Sequence, residues 1–183
     1  MSKVVLISGH PNLDDSIANQ WIVKNLQTQI EDIEVVRLDM LYPNYEMDVL
    51  KEQERLVNAD VIILQYPLFW YGMPSLLMRY FEQILSHGFS HGTHGDKLRG
   101  KMLIASFTSG AKEEVYDGIH QYRIDEFLAP IQATCTLCGI EFKGYIYTGG
   151  VSYHDHYDEE KCKKIKEKAL FHAEKVVALL ETI

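Results

Sequence analysis

The sequence predicts a doubly wound α/β fold, five parallel strands with helices on both faces, in a single domain over residues 1–183. Strand-like and helix-like segments alternate from end to end, with no repeat, low-complexity tract or linker between them. Several strand candidates are continuously apolar rather than alternating, the pattern of parallel strands covered on both faces. A chain of 183 residues is also long enough to bury one sizeable core.

Each element has its own signal. Val4-Val5-Leu6-Ile7 sets the first strand at 3–8, and Ala18, Trp21, Ile22 and Leu26 give 16–30 one apolar helical face. A second strand at 33–38 and a helix at 49–59 follow. The run Val61-Ile62-Ile63-Leu64 reads as a buried strand over 61–65. Leu76, Leu77, Tyr80, Phe81 and Ile84 then recur at helical spacing over 75–85. The last two strands are expected at 101–107 and 142–147, with a poorly periodic helix at 124–138 between them. Ile165, Ala169, Ala173, Val176, Val177 and Leu180 form one stripe along a closing helix over 158–180, with Asp158 as its expected N-cap.

Composition narrows the function. A formal net charge of −8 argues against nucleic acid and anionic membrane surfaces, which both recruit positive charge. No apolar run approaches transmembrane length, and the first is too short for a signal-peptide core. Three cysteines without a secretion signal suggest reduced thiols and a cytoplasmic setting.

In open α/β sheets ligands sit outside the carboxyl ends of the strands, at the switch point in strand order. The loops after the first, third and fourth strands are therefore the ones to read. The first, Gly9 to Asn19, lacks both the Gly-x-Gly-x-x-Gly and the Gly-Lys-Ser/Thr signatures. It offers a helix N-terminus with Ser16, Asn19 and unpaired amides, which suits a phosphate, and His10 adds a donor. The plainer reading is that Asp15 or Ser16 caps the helix. Asp14 and Asp15 oppose a phosphate unless they point away. The second loop, Tyr66-Pro-Leu-Phe-Trp-Tyr-Gly-Met-Pro74, carries three adjacent aromatics. A loop rarely buries that much ring surface within itself, so either a cofactor or a partner chain covers it, or it folds back onto the core. The third, Phe107-Thr-Ser-Gly-Ala111, has amides and hydroxyls suited to the polar edge of a flat ring, or is a simple turn.

Together the three loops resemble the NAD(P)H:quinone reductases of flavodoxin-like fold. His10 to Asn19 resembles their His-Pro…Ser-x-x-Asn phosphate loop, Pro67 to Pro74 their isoalloxazine loop, and Thr108-Ser-Gly110 their Thr-Thr-Gly. The resemblance covers essentially the whole chain, including 86–92 and the closing helix. It is nearest to the bacterial branch that includes the ancillary flavoproteins of glutathione-gated potassium efflux systems. It implies strand order 2-1-3-4-5. It also implies that His10, Ser16, Ile17, Ala18 and Asn19 hold the flavin phosphate, and that Pro67, Leu68, Phe69, Trp70 and Tyr71 line the isoalloxazine. Thr108, Ser109, Gly110 and Ala111 would contact its far edge, with Ala111 standing where the family often has Gly. The family's Tyr and His that assist hydride transfer map onto Tyr116 and His120, which stand closer together here.

Other motifs read as bland. Cys135-Thr-Leu-Cys138 has redox spacing but closes a helix before Gly139, where thiolate is disfavoured, so buried structural thiols are expected. His87, His91 and His94, and His154 and His156, lie in loops without a completing ligand set, so no metal is expected. They suit the surroundings of an anionic cofactor or a subunit contact. Lys161, Lys163, Lys164, Lys166 and Lys168 read as the solvated face of the last helix.

The resulting expectation is a homodimeric flavoprotein that passes two electrons from NAD(P)H to quinone-like acceptors by ping-pong turnover. FMN is favoured over FAD, because so short a chain has little to spare for an adenine. Surplus apolar surface at Phe69, Trp70, Tyr71 and the Phe89 loop is the reason for expecting a dimer. The alternatives are a regulatory subunit peripherally attached to a membrane potassium efflux protein, and a flavodoxin-type electron carrier.

Overall fold

The computed structural model describes residues 2–119 and 121–183. Strands β1 (Val4–Ser8), β2 (Glu34–Arg37), β3 (Val61–Pro67), β4 (Met102–Thr108) and β5 (Glu141–Thr148) form one parallel sheet in the order β2-β1-β3-β4-β5. Helices α1 (Ile17–Gln29), α2 (Leu38–Leu41), α3 (Val49–Asn58), α4 (Ser75–Ile84), α5 (Ala129–Cys138) and α6 (Glu159–Leu180) connect and cover it. The reversal of strand order falls between β1 and β3. The flavodoxin-like order and the five parallel strands are borne out.

The sheet divides the core in two because successive strand side chains point to opposite faces. Val5, Ile7, Ile62, Leu64 and Leu103 pack with Leu76, Leu77 and Tyr80 of α4 and Ile131 and Cys135 of α5. Val4, Leu6, Ile63 and Ile104 pack with Ile22 and Leu26 of α1 and Ala169, Ala173 and Val176 of α6. β1 and β3 are buried along their whole length, whereas the edge strand β5 is mostly half-buried, with Glu141 and Tyr145 exposed and Thr148 buried at its end.

Two departures from the expected elements have local causes. The 124–138 segment is not one helix: a 3-10 turn over Ile124–Leu128 precedes α5, which starts at Ala129 with Pro130 in its first turn. Proline lacks the N–H that a helix interior requires, so the α-helix begins there. The four-residue α2 is too short for any periodic signal. Tyr42 at its end gives its hydroxyl proton to the fully buried Glu52 of α3 at 2.6 Å, and Tyr80 of α4 donates to the same carboxylate at 3.2 Å. Asp158 caps α6 as expected, accepting from the Lys161 amide at 3.0 Å. Cys135 and Cys138 are buried at the C-terminal end of α5, and burial pushes the Cys135 thiol up to about 12. Among the described residues, no helix is long and apolar enough to cross a membrane.

Candidate functional site

The loops after β1, β3 and β4 meet at the carboxyl end of the sheet around a cleft of about 450 Å³. Its walls bring together His10, Ser16, Ile17, Ala18, Asn19, Pro67, Leu68, Phe69, Thr108, Ser109 and Gly110. Trp70, Tyr71, Ala111 and Tyr116 stand outside the lining, and His120 lies outside the described residues. Residues after β5 supply a further wall: Val151, Ser152, Tyr153, His156 and Ile165.

The floor is the start of α1. Ser16 is its N-cap, and Ser16 Oγ accepts from the Asn19 amide at 3.2 Å and from Asn19 Nδ2 at 3.1 Å. The capping reading is thus borne out for Ser16, and it does not exclude anion binding. A helix leaves its first amides without intrahelical acceptors, so those of Ile17 and Ala18, which line the cleft, have none within α1, and the positive end of the helix dipole lies there.

The two nearby carboxylates have separate fates. Asp14 turns away to Arg37 Nη1 at 2.7 Å, and Arg37 also holds Asp39 at 2.6 Å, whose carboxylate accepts the Leu13 amide at 3.0 Å. That cluster pins the loop outside the cleft. Asp15 stays at the rim, near enough to Tyr153 for its carboxylate to raise that phenol's pKa. His10 accepts the Asn12 amide on Nδ1 at 3.1 Å, and burial pulls its pKa down to about 4. The ring is therefore neutral near pH 7, with its proton on Nε2. The lining contains no lysine or arginine, so an anion there relies on amides, hydroxyls and a neutral imidazole.

The aromatic loop does not fold back onto the core. Trp70 and Tyr71 occupy both central positions of a left-handed turn, with φ of +49° and +65°. Paired backbone bonds of 3.0 Å between Phe69 and Gly72 close it. This is the geometry of a type I′ turn, which normally takes Asn-Gly because a Cβ is strained at positive φ. Backbone strain of this kind costs about 1–3 kcal/mol per residue and gathers at functional sites. The turn holds the Trp70 ring 95% exposed. Tyr71 instead packs on Phe127 at 5.4 Å between ring centroids.

The loop after β4 is sewn to the wall after β5. The Ser109 amide donates to Thr148 O, Val151 to Ser109 O and Gly150 to Ala111 O, at 3.0, 3.1 and 2.7 Å. The Ser109 hydroxyl donates to Ala111 O at 2.8 Å and takes the Tyr147 hydroxyl at 2.7 Å. Its one proton is therefore spent on shaping the turn. Tyr116 meets Phe127 and Tyr147 edge-on at 5.8 and 6.1 Å, the packing role that competes with a catalytic one.

The wall at 151–156 is not among the loops at the switch point, because it follows the edge strand. Its one sequence signal was the loop histidine pair, of which His156 reaches the cleft. No local pattern marks Ile165, a stripe residue of α6 that closes the bottom of that wall.

A five-stranded 2-1-3-4-5 sheet with its cleft at the β1/β3 switch defines a flavodoxin-like protein. A family model described as a flavodoxin-like fold matches residues 2–172, and the chain belongs to that family. It is similar to a Bacillus subtilis (strain 168) protein named "uncharacterized NAD(P)H oxidoreductase YrkL". The two are 38% identical over 142 residues, covering 76% of this chain and 81% of that one. The glutathione-regulated potassium-efflux system ancillary protein KefG of Enterobacter sp. (strain 638) is 37% identical over 139 residues, 75% of each chain. Among solved structures, general stress protein 14 of Treponema denticola in complex with FMN superposes with a TM-score of 0.85. It is 22% identical, covering 97% of this chain and 99% of that one, a likeness of fold. The resemblance to flavodoxin-like NAD(P)H oxidoreductases is borne out.

Proposed function

We propose that this protein is an FMN-dependent NAD(P)H oxidoreductase acting on quinone-like acceptors. One observation carries the reading: a seat for an anion, built from amides, hydroxyls and a neutral imidazole with the Asp15 carboxylate at its rim, shares one cleft with the Pro67-Leu68-Phe69 wall and the Thr108–Gly110 turn. The residues fit a flavin mononucleotide. Ser16, the Ile17 and Ala18 amides and His10 bind its phosphate. Pro67 to Phe69 line one side of the ring system, and Gly110 borders its far edge. When bound, the flavin supplies the two-electron hydride chemistry that links a reduced nicotinamide to the acceptor, the two substrates taking turns in ping-pong fashion.

The chain's own contribution is positional. The strained turn presents Trp70 and Tyr71 beside the cleft mouth, where they cover a bound ring system or meet a second copy of the chain in a twofold dimer. Tyr116 and His120 stabilise charge on the acceptor oxygen. The protein works in the cytoplasm as one domain. Acid release of the cofactor from purified protein, with identification by mass, tests the reading. FMN at about one per chain is expected; failure to bind either FMN or FAD overturns it.

The relationship to potassium-efflux ancillary proteins favours a second, compatible role as a peripheral subunit of such a transporter. Purified protein added back to transporter-bearing vesicles would raise efflux if it does so.

A further inference from the structure

At the carboxyl ends of the strands, the face covered by α1 and α6 changes character. Rows that carry Ile63, Ile104 and Ile146 deeper in the sheet end in Gln65, Ser106 and Thr148, opposite Asn19 of α1 and His172 of α6. Gln65, Ser106 and His172 are wholly buried, and Asn19 nearly so. Burying polar groups costs free energy unless each finds a partner, and an apolar layer would cover this helix–sheet contact without that cost.

We propose that His172 is a positioning residue for the anion seat: through Ser106, Gln65 and Asn19 it drives a one-way hydrogen-bond relay that fixes the Ser16 hydroxyl as a donor into the cleft.

The direction follows from proton bookkeeping. Ser106 Oγ gives its one proton to Gln65 Oε1 at 2.5 Å, so its 2.7 Å contact with His172 Nε2 must be one it accepts. His172 is therefore protonated on Nε2, and its Nδ1 accepts the Thr148 hydroxyl at 2.9 Å. Gln65 Nε2 donates to Asn19 Oδ1 at 2.8 Å. That orients the Asn19 amide with Nδ2 toward Ser16 and Thr108, at 3.1 Å each. Ser16 Oγ accepts from both Asn19 Nδ2 and the Asn19 amide, so both its lone pairs are used and only its proton is left to give. That oxygen belongs to a cleft-lining residue. Run in reverse, the relay would turn Asn19 Oδ1 toward Ser16, and the serine proton would be spent inside the molecule. Burial holds the His172 pKa down to about 3, so the ring stays neutral and the polarity is kept at ordinary pH.

The inference deepens the proposed FMN reading and rests on it. The test compares dissociation constants for FMN and for riboflavin, which lacks the phosphate, in the wild type, His172→Phe, Ser106→Ala and Ser16→Ala. One charge-assisted hydrogen bond is worth about tenfold in affinity. Expected is an FMN affinity about tenfold weaker in all three variants with riboflavin within about twofold of wild type. The double variant His172→Phe/Ser16→Ala should be no weaker than Ser16→Ala alone. Parallel loss of both ligands, an unchanged FMN-to-riboflavin ratio in both relay variants, or additive losses in the double variant would overturn the relay. Nitrogen NMR on flavin-free protein gives a reading independent of flavin: a neutral His172 protonated on Nε2 is expected, and the Nδ1–H tautomer or a doubly protonated ring overturns it. Wild-type protein that binds no flavin refutes the proposed function itself; FMN discrimination lost by Ser16→Ala alone leaves that function standing and the relay refuted.

Discussion

Trp70→Gly should make the flavin-free protein more stable while weakening what the loop binds. An L-residue in the left-handed region costs about 1–2 kcal/mol, and Trp70 sits there at φ +49°. Its ring is 95% exposed, so truncation removes almost no burial. Against that relief stands the greater freedom of glycine in the unfolded chain, about 0.5–1 kcal/mol. The net gain is about 0–1.5 kcal/mol, centred near ~0.75, which for a chain of this size raises Tm by about 2–3 °C at that centre. Tyr71→Gly is the internal control. It relieves a similar φ of +65° but loses the packing on Phe127, worth about 0.5–1.5 kcal/mol, and should gain nothing. Calorimetry on dilute, flavin-free protein measures both, and titrations of flavin binding and of self-association complete the comparison. A lower Tm for Trp70→Gly would refute the strain argument. A higher Tm with flavin affinity and association both intact would show that the exposed ring serves neither.

His172 should make stability fall on acidification. The unfolded ring takes up a proton near pH 6.5 while the folded one resists to about 3, so the unfolded state gains the proton first. The loss is at most about 1.4 kcal/mol per pH unit below 6.5. His10, held down to about 4, acts in the same direction, so His172→Phe should reduce the slope of denaturation midpoint against pH without abolishing it. Cys135 and Cys138 should react with a thiol reagent in native protein no faster than global unfolding, whereas the half-buried Cys162 should react sooner; rapid labelling of Cys135 would refute the buried-thiol reading. Tyr116→Phe and His120→Gln should slow one half-reaction by about 10²–10⁴-fold at unchanged flavin content if they polarise the acceptor. Wild-type rates in stopped flow would leave Tyr116 with its packing role alone. Light scattering at micromolar concentration should return a dimer, and a monodisperse monomer would argue against partner coverage of Trp70.

Local chemistry made much of this protein readable. Apolar β-branched runs bury on both faces wherever they fall, so β1, β3 and β4 were visible before any neighbour was known. Asp158 and Ser16 cap because their short side chains reach amides only a few residues ahead, an interaction contained within the sequence. Pro130 breaks the expected helix by an equally local rule, since it has no N–H to give to the preceding turn. What depended on tertiary structure was the meaning of polar residues inside strands. Gln65, Ser106 and Thr148 read alone as interruptions of apolar runs, and His172 as one more residue on a lysine-rich helix. Only when α1 and α6 pack on the same face of the sheet do they become partners, since a hydrogen bond between residues 66 positions apart leaves no periodic trace. The same holds for the cleft's further wall and for Trp70. An aromatic in a loop announces that something must cover it, but whether the chain does so itself is decided by a backbone turn, here one that points the ring outward.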